Sequence, residues 1–174
     1  MCPPVSAPLL THVEVYLFRG RPKRLLLLRR SAERRTLPGV WQPVTGSLRR
    51  GERAIQAAAR EVREETGLFP RRWWTLEQAV FYFDPLLNRA RLLPLFAAEV
   101  GMRDRVVLSD EHDRHRFVTL ARAASLVLWD AQRAAIQSLE SQLFARPSLA
   151  AALEITPNVA RSTRRRKEVS HGQQ

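Results

Sequence analysis

Residues 53–66 most strongly restrict what this chain can form, because they have the periodicity of a helix with two unlike faces. They lie in the stretch GSLRRGERAIQAAAREVREETGLF, which spans residues 46–69. On a helix of 3.6 residues per turn, Glu61, Glu64 and Glu65 fall within an arc of about 100°. An apolar stripe beside this arc consists of Ile55, Ala58, Ala59, Val62 and Thr66. The pattern predicts a helix that packs on a core and groups three carboxylates along one side.

The grouped carboxylates require a compensating partner. Like charges three or four residues apart destabilise a helix by a few tenths of a kcal/mol, and clustering raises the pKa of at least one of them. Mg²⁺ or Mn²⁺ would compensate, because hard divalent cations take carboxylate oxygens and pair with phosphates. The alternative is that the three glutamates are solvated and pair with neighbouring arginines, as such runs usually do.

The charge balance of the chain permits, but does not favour, a nucleic-acid partner. The 174 residues have a formal net charge of +12, of which residues 161–174 contribute +4. The other +8 is spread without a single basic stripe, and lysine occurs only at positions 23 and 167. A solvated arginine surface is therefore the favoured interpretation, with RNA binding as the alternative.

Short apolar segments alternate with turn clusters along most of the chain, which predicts strands. The predicted strands are residues 12–18, 24–29, 42–48, 76–83, 91–100 and 116–120. The predicted helices are residues 53–66, 121–126 and 130–144. Mixed short strands with two or three helices favour an α+β or α/β/α layered domain.

The expected domain covers residues 1–155, and residues 156–174 are expected to form a basic disordered tail, because they carry too little apolar surface to fold. No apolar run approaches the roughly 20 residues of a membrane-spanning helix. The N-terminal residues do not resemble a secretory signal, so a cytoplasmic location is expected. Cys2 is the single cysteine, which excludes an internal disulfide.

The spacing within the acidic stretch resembles the signature of the Nudix hydrolase family at every defined position. The sequence has Gly46, five residues, Glu52, seven residues, Arg60-Glu61-Val62, one residue, Glu64-Glu65, one residue, and Gly67-Leu68. The resemblance implies an α/β/α sandwich with mixed sheets, in which a loop-helix-loop motif holds a divalent metal against a diphosphate linkage.

The resemblance also implies residue roles. Metal binding is assigned to Glu61 and Glu65, with Glu64 as a further ligand or as the base that deprotonates the attacking water. Glu64, Glu61 and Arg60 form the predicted catalytic group, and a charge pair with Glu52 is the expected contact of Arg60. Gly46 is expected to let the loop turn sharply, and Gly67 to end the helix.

The stretch LSDEHDRHRF resembles the Glu-His turn of several Nudix subfamilies and offers a further metal ligand. Glu111 is the favoured residue, Asp110 and Asp113 compete for the role, and a solvated acidic turn remains the alternative. His112 and His115 are expected to be ordinary surface or strand histidines rather than catalytic groups.

The stretch WQPVTGSL, residues 41–48, resembles pyrophosphatases that act on dihydroneopterin triphosphate or dATP. That likeness implies that Thr45 and Arg30 contact the phosphates or ring of a nucleotide or pterin substrate. Trp41 could stack on a base, although a tryptophan near a sheet end is more often part of a core. The segment between Arg30 and Trp41, residues 31–40, is longer than its counterpart in that subfamily.

Three functions are compatible with these sequence features. The first is a metal-dependent pyrophosphohydrolase that cleaves a nucleoside or pterin triphosphate to the monophosphate and pyrophosphate. The second is an asymmetrical dinucleoside polyphosphate hydrolase, which shares the same turn. The third is a non-catalytic module of the same fold that binds nucleotide or RNA, although the chain retains all three helix glutamates and Arg60. The oligomeric state is left open.

Overall fold

The described part of the chain contains eight strands and four α-helices. A computed structural model describes residues 9–86 and 88–156. The strands are β1 (Leu9–Leu10), β2 (His12–Arg19), β3 (Arg24–Arg30), β4 (Trp41–Gln42), β5 (Val44–Ser47), β6 (Arg72–Asp84), β7 (Arg89–Glu99) and β8 (His112–Val118). The helices are α1 (Ala54–Thr66), α2 (Leu120–Leu126), α3 (Asp130–Ser138), which continues as a π-helical segment Leu139–Phe144, and α4 (Pro147–Leu153).

The strands form one mixed sheet with β2 and β3 near its centre. The main path runs β1-β7-β2-β3-β4, while β5 pairs with β2, β6 with β7, and β8 with β3. β7 runs parallel to β1 and β2, and the other pairs are antiparallel. Most residues of β2 and β3 are buried on both faces, as expected of central strands.

Helices pack on both faces of the sheet, and the sheet separates two apolar cores. On one face Val13, Val15 and Leu17 pack with Ala58 and Val62 of α1. On the other face Tyr16 and Phe18 pack with residues of α2, α3 and the π-helical segment. The alternation along β2 therefore sends neighbouring residues to opposite cores. The predicted α+β sandwich with a mixed sheet is confirmed.

Most predicted strands and helices match the structure to within four residues at each end, and the differences concern β1, β4, β5, β8 and α4. The predicted strand at 42–48 is divided into β4 and β5 at Pro43, whose ring nitrogen cannot donate to a sheet ladder. β8 spans His112–Val118 rather than residues 116–120, so four polar residues missing from the prediction join the sheet. α4 was not predicted, because its short alanine-rich segment has little periodicity.

The C-terminal end of the described chain is tied to the sheet. The backbone amide of Trp73 donates to Thr156 Oγ1 at 2.8 Å, and the Ile155 amide donates to the Trp73 carbonyl at 2.9 Å. The predicted disordered tail falls almost entirely on residues 157–174, which lie outside the described residues, and the boundary after residue 155 stays a prediction. No helix in the described ranges is long and apolar enough to cross a membrane, and the cytoplasmic location stays a prediction.

A buried carboxyl group in the second core gives the fold a pH dependence. Glu14 is 6% exposed and accepts hydrogen bonds from Tyr16 Oη at 2.8 Å and Gln132 Nε2 at 2.9 Å. Burial raises the pKa of Glu14, and these two hydrogen bonds oppose the shift. A carboxyl pKa raised by folding contributes stability below the ordinary value of 4.5, and that contribution is lost as pH rises through the folded-state pKa.

Glu14→Gln should therefore gain stability relative to the native chain as pH rises. Its amide can be accommodated, because its oxygen can accept from Gln132 Nε2 and its NH2 group can donate to the Tyr16 hydroxyl, which can accept as well as donate. Urea unfolding at pH 5 and pH 8 measures the difference, which should be larger at pH 8. Glu77→Gln, at an exposed position, should follow the native chain at both pH values. Parallel profiles for Glu14→Gln and the native chain contradict the prediction.

Candidate metal and phosphate site

Helix α1 presents the acidic residues because its ends and its apolar side are fixed. At the first turn the Arg53 amide donates to Gln56 Oε1 at 3.0 Å. At the last turn Gly67 adopts φ +64° and its amide donates to the Arg63 carbonyl at 2.9 Å. Ala57, Ala58 and Val62 are fully buried against the sheet, so the neighbouring acidic side is held at the edge of β5.

Gly46 provides the space that Glu61 occupies. A Cβ atom at position 46 would lie 2.0 Å from both Cγ and Cδ of Glu61. Gly46 lies inside β5 and pairs with Val13 of β2, so the predicted sharp turn at this glycine is wrong. The residue is small because the helix side chain crosses directly over the strand.

Arg60 connects β5, α1 and the loop between them through all five of its N–H groups. Nε and Nη2 donate to the two carboxylate oxygens of Glu52 at 3.0 and 2.9 Å, and Nη2 also donates to the Ser47 carbonyl at 2.8 Å. Nη1 donates to Glu61 Oε1 at 2.6 Å and Glu64 Oε2 at 3.0 Å. The expected pair with Glu52 is present, and the hydrogen bonds from Arg60 hold the pKa of Glu52 below its usual range.

Arg60→Lys should destabilise the protein although it retains the charge. Lysine has three donors on one nitrogen and cannot reproduce the planar fork, so buried acceptors lose their partners. We expect a loss of about 2 kcal/mol in the free energy of unfolding, measured by urea denaturation. Arg63→Lys on the exposed side of the same helix is the matched control and should change stability by less than about 0.5 kcal/mol. Equal losses in the two variants contradict the prediction.

Glu65 is the most perturbed acidic group of the site. It is 4% exposed, and its Oε2 is buried without a hydrogen-bond partner. Burial, together with the charges of Glu61 and Glu111, raises the pKa of Glu65 to about 9, against the opposing effects of the Thr45 backbone and Arg30. Burial also raises the pKa of Glu61, although its hydrogen bond from Arg60 opposes the shift. The cluster therefore favours a positive charge near Glu65.

His112 lies beside Glu65 at the start of β8. Its Nδ1 is 3.8 Å from Glu65 Oε2, and both atoms are buried without a hydrogen-bond partner. Burial, then the charges of Arg30 and Arg34, lowers the pKa of His112 to about 4, so the ring is neutral. His112 lies in a strand, as one of the two predictions for it states, but it is buried rather than on the surface. Its place directly after Glu111 in the Glu-His turn is a sequence signal for its closeness to the site, but not for its burial.

The three candidate acids of the Glu-His turn occupy different environments. Glu111 is the one whose charge acts on Glu65. Asp113 is held by Arg29 through two hydrogen bonds of 2.7 and 2.6 Å. The Asp110 side chain is 94% exposed. These contacts favour Glu111 as the fourth metal ligand, which stays a prediction.

The predicted substrate residues Thr45, Arg30 and Trp41 differ in what their side chains contact. Thr45 hydrogen-bonds Glu65 through its backbone, and its hydroxyl donates to the Pro43 carbonyl at 3.3 Å. Arg30 donates through Nε to the Thr36 carbonyl at 3.0 Å. Trp41 packs against the second core, with the Arg116 guanidinium 5.2 Å from its ring centroid. Its ring therefore packs on the other face of the sheet from α1, and stacking of a base on it stays a prediction.

The surroundings of Glu65 indicate that these residues fit a divalent cation. An oxygen of a buried carboxylate with no partner, close to two further negative charges, is the donor chemistry that Mg²⁺ and Mn²⁺ prefer. In residues 9–86 and 88–156, no three His, Cys, Asp or Glu side chains are arranged to hold an ion as they stand. Arginines instead engage Glu61, Glu64 and Glu111, so binding requires these contacts to rearrange.

Comparison with known proteins adds a family match and local similarity. The sequence matches the family described as the NUDIX domain over residues 8–139. An octanoyltransferase of Myxococcus xanthus is 56% identical over 50 residues, which are 29% of this chain and 13% of that protein. A dihydroneopterin triphosphate diphosphatase of Escherichia coli (strain K12) is 49% identical over 51 residues, 29% of this chain and 31% of that protein.

The fold is also found among solved structures. An Ap4A hydrolase of C. elegans in a binary complex is similar with a TM-score of 0.65 and 22% identity, over 78% of this chain and 98% of that chain. The curated matches, by contrast, span less than a third of the length of the two relatives. The structural likeness therefore concerns the whole domain, whereas the stronger sequence identity is confined to a short segment.

Proposed function

Because this chain belongs to the NUDIX domain family, we propose that it is a metal-dependent pyrophosphohydrolase that cleaves a phosphoanhydride bond. The observation that carries the proposal is Glu65, a buried carboxylate with an unpartnered oxygen beside the charges of Glu61 and Glu111. A structural glutamate in this position would be expected to have a hydrogen-bond partner for each buried oxygen. A group kept in this state is typical of a binding or catalytic site.

The proposed metal ligands are Glu61, Glu65 and Glu111, with Glu64 as a further ligand or the general base. Bound Mg²⁺ or Mn²⁺ supplies charge stabilisation to the phosphate oxygens and lowers the pKa of a coordinated water. Glu65 offers an oxygen that gives up no existing hydrogen bond. Glu61 is positioned over Gly46 and restrained by Arg60.

Glu64 is suited to accept a proton because it is the most accessible of the three helix glutamates. Its side chain is 40% exposed, compared with 14% for Glu61 and 5% for Glu65. Arg49 donates to it at 3.2 Å and Arg60 at 3.0 Å, which orients the carboxylate while leaving it open to water. Arg60 acts as a positioning residue in this scheme, because its donors are already used within the motif.

The proposed substrate is a nucleoside or pterin triphosphate, which yields a monophosphate and pyrophosphate. The 51-residue similarity to the Escherichia coli dihydroneopterin triphosphate diphosphatase supports this class. Arg30 and Thr45 are the proposed contacts to the phosphates or ring. The formal net charge of +12 gives the protein a general attraction for polyphosphate anions.

A product assay tests the proposal directly. Purified protein with Mg²⁺ or Mn²⁺ is incubated with pterin triphosphate, deoxynucleoside triphosphates and a dinucleoside tetraphosphate, and the products are identified by mass. Pyrophosphate released from a triphosphate is the expected result, and the reaction in ¹⁸O-labelled water identifies the phosphorus attacked. Release of a nucleoside triphosphate from the dinucleotide alone would support the second hydrolase class. RNA binding without any phosphate product would contradict both.

A further inference from the structure

Residues 31–40 form a loop that is hydrogen-bonded to the Glu-His turn and to Arg30. The Ser31 amide donates to the Glu111 carbonyl at 2.9 Å, which joins the loop to the Glu-His turn. The Arg30 amide donates to the Val40 carbonyl, and the Gly39 amide to the Arg30 carbonyl, each at 3.0 Å. Arg30 Nε closes the loop on the Thr36 carbonyl at 3.0 Å. Side chains on this loop therefore have a defined position relative to Glu111.

Arg34 is the loop residue that reaches the acidic site. Its Nη2 lies 3.3 Å from Glu111 Oε1 and 3.5 Å from Asp110 Oδ2. The Glu111 side chain is 46% exposed and that of Asp110 94% exposed, so both ion pairs are open to solvent. Exposed pairs of this kind contribute little to stability, so their exchange for a stronger partner is inexpensive in free energy.

Arg30 provides a second guanidinium beside the Glu-His turn, and this group has unused hydrogen-bond donors. Within the described ranges, Arg30 uses only Nε and its backbone in hydrogen bonds, and its two terminal nitrogens have no partner. Arg30 is the register partner of His112, which directly follows Glu111, and Arg34 contacts Glu111 itself. Arg30 and Arg34 thus both adjoin the turn that holds Glu111, and one cation alone would leave a polyphosphate incompletely neutralised.

We propose that Arg34, together with Arg30, binds the outermost phosphate of the substrate and moves to it from Glu111. This inference rests on the proposed function and deepens it. An unesterified terminal phosphate offers three charged oxygens to the planar forks of two arginines. Transfer of Arg34 to that phosphate releases the Glu111 carboxylate for the cation. The pair therefore selects substrates that end in a free phosphate, and the same contacts hold pyrophosphate as a product.

Binding measurements on Arg34 variants test the proposal without requiring turnover. Arg34→Ala, Arg34→Lys and Arg35→Ala are titrated by calorimetry with Mg²⁺ alone and with inorganic pyrophosphate in the presence of Mg²⁺. Arg35 is the matched control, because it lies next in the same loop and is exposed. Circular dichroism and the thermal midpoint verify that each variant is folded.

The two titrations should move in opposite directions in Arg34→Ala. Pyrophosphate binding should weaken about tenfold, while Mg²⁺ alone should bind several-fold more tightly because Glu111 has lost its competing partner. Arg34→Lys should recover part of the pyrophosphate affinity, and Arg35→Ala should match the native chain. Equal pyrophosphate affinity in Arg34→Ala and Arg35→Ala, or no measurable pyrophosphate binding by the native chain, overturns the inference. A protein that binds both ligands as expected but hydrolyses no substrate refutes only the proposed function.

Discussion

Glu65→Gln is expected to reduce hydrolysis by about two to four orders of magnitude while the protein stays folded. The amide has nearly the shape of the carboxylate but lacks the negative charge that a divalent cation requires. The native carboxylate has a buried oxygen without a partner, so its removal breaks no protein contact at that atom. The rate is measured with saturating Mg²⁺, and the thermal midpoint is measured with a chelator present. The midpoint should stay the same or rise.

Glu140→Gln serves as the control for this variant. Glu140 is exposed on the π-helical segment, which packs on the opposite core from α1. Glu140→Gln makes the same carboxyl-to-amide change away from the proposed site, so it shows any general effect of losing an acidic side chain. Its activity should equal that of the native chain. Full activity in Glu65→Gln contradicts the assignment, and a large fall in its thermal midpoint would indicate that Glu65 is structural.

Gly46→Ala is expected to lower activity at least about a hundredfold with a smaller effect on stability. The added methyl group would occupy the position of the Glu61 side chain, 2.0 Å from Cγ and Cδ. Glu61 can turn away because the conflict concerns its flexible end, but it would then leave both Arg60 and the proposed cation. Mg²⁺ titration should show weaker binding, and the activity should recover partly at high Mg²⁺ concentration.

Gly51→Ala separates steric conflict from backbone strain. Gly51 has φ +73° and open space around its Cα, so alanine there meets only the conformational penalty of about 1 kcal/mol. That variant should lose some stability and keep its Mg²⁺ affinity. If Gly46→Ala binds Mg²⁺ as tightly as Gly51→Ala does, Glu61 is not a ligand, and the role given to the glycine is wrong.

Much of the fold could be predicted from the sequence because its central elements have simple patterns. β2 and β3 are runs of apolar residues, and α1 has a clear apolar stripe ended by Gly67. β8 was shortened in the prediction, because its polar residues, such as Arg114 and His115, do not alternate with apolar ones. Such a strand is recognised by its pairing with β3, which depends on residues more than 80 positions away.

The candidate site was predicted in its residue types but not in its contacts. The motif spacing identified Glu61, Glu64 and Glu65, and the pair between Glu52 and Arg60 was expected. The burial of His112 and the ion pair of Arg34 with Glu111 could not be anticipated, because both arise where the loop 31–40 meets the turn before β8. Nothing in the local sequence indicates that these two segments touch.

Arg60 has a consequence for how the protein could respond to its surroundings. Arg60 pairs with Glu52, Glu61 and Glu64, and Arg49 also pairs with Glu64, so these three carboxylates have partners in the folded protein without a cation. Folding would then not depend on cation binding, unlike in small zinc domains, which unfold when the metal is removed. On the proposed function, the rate of hydrolysis would then rise and fall with the concentration of Mg²⁺ or Mn²⁺ while the protein stays folded.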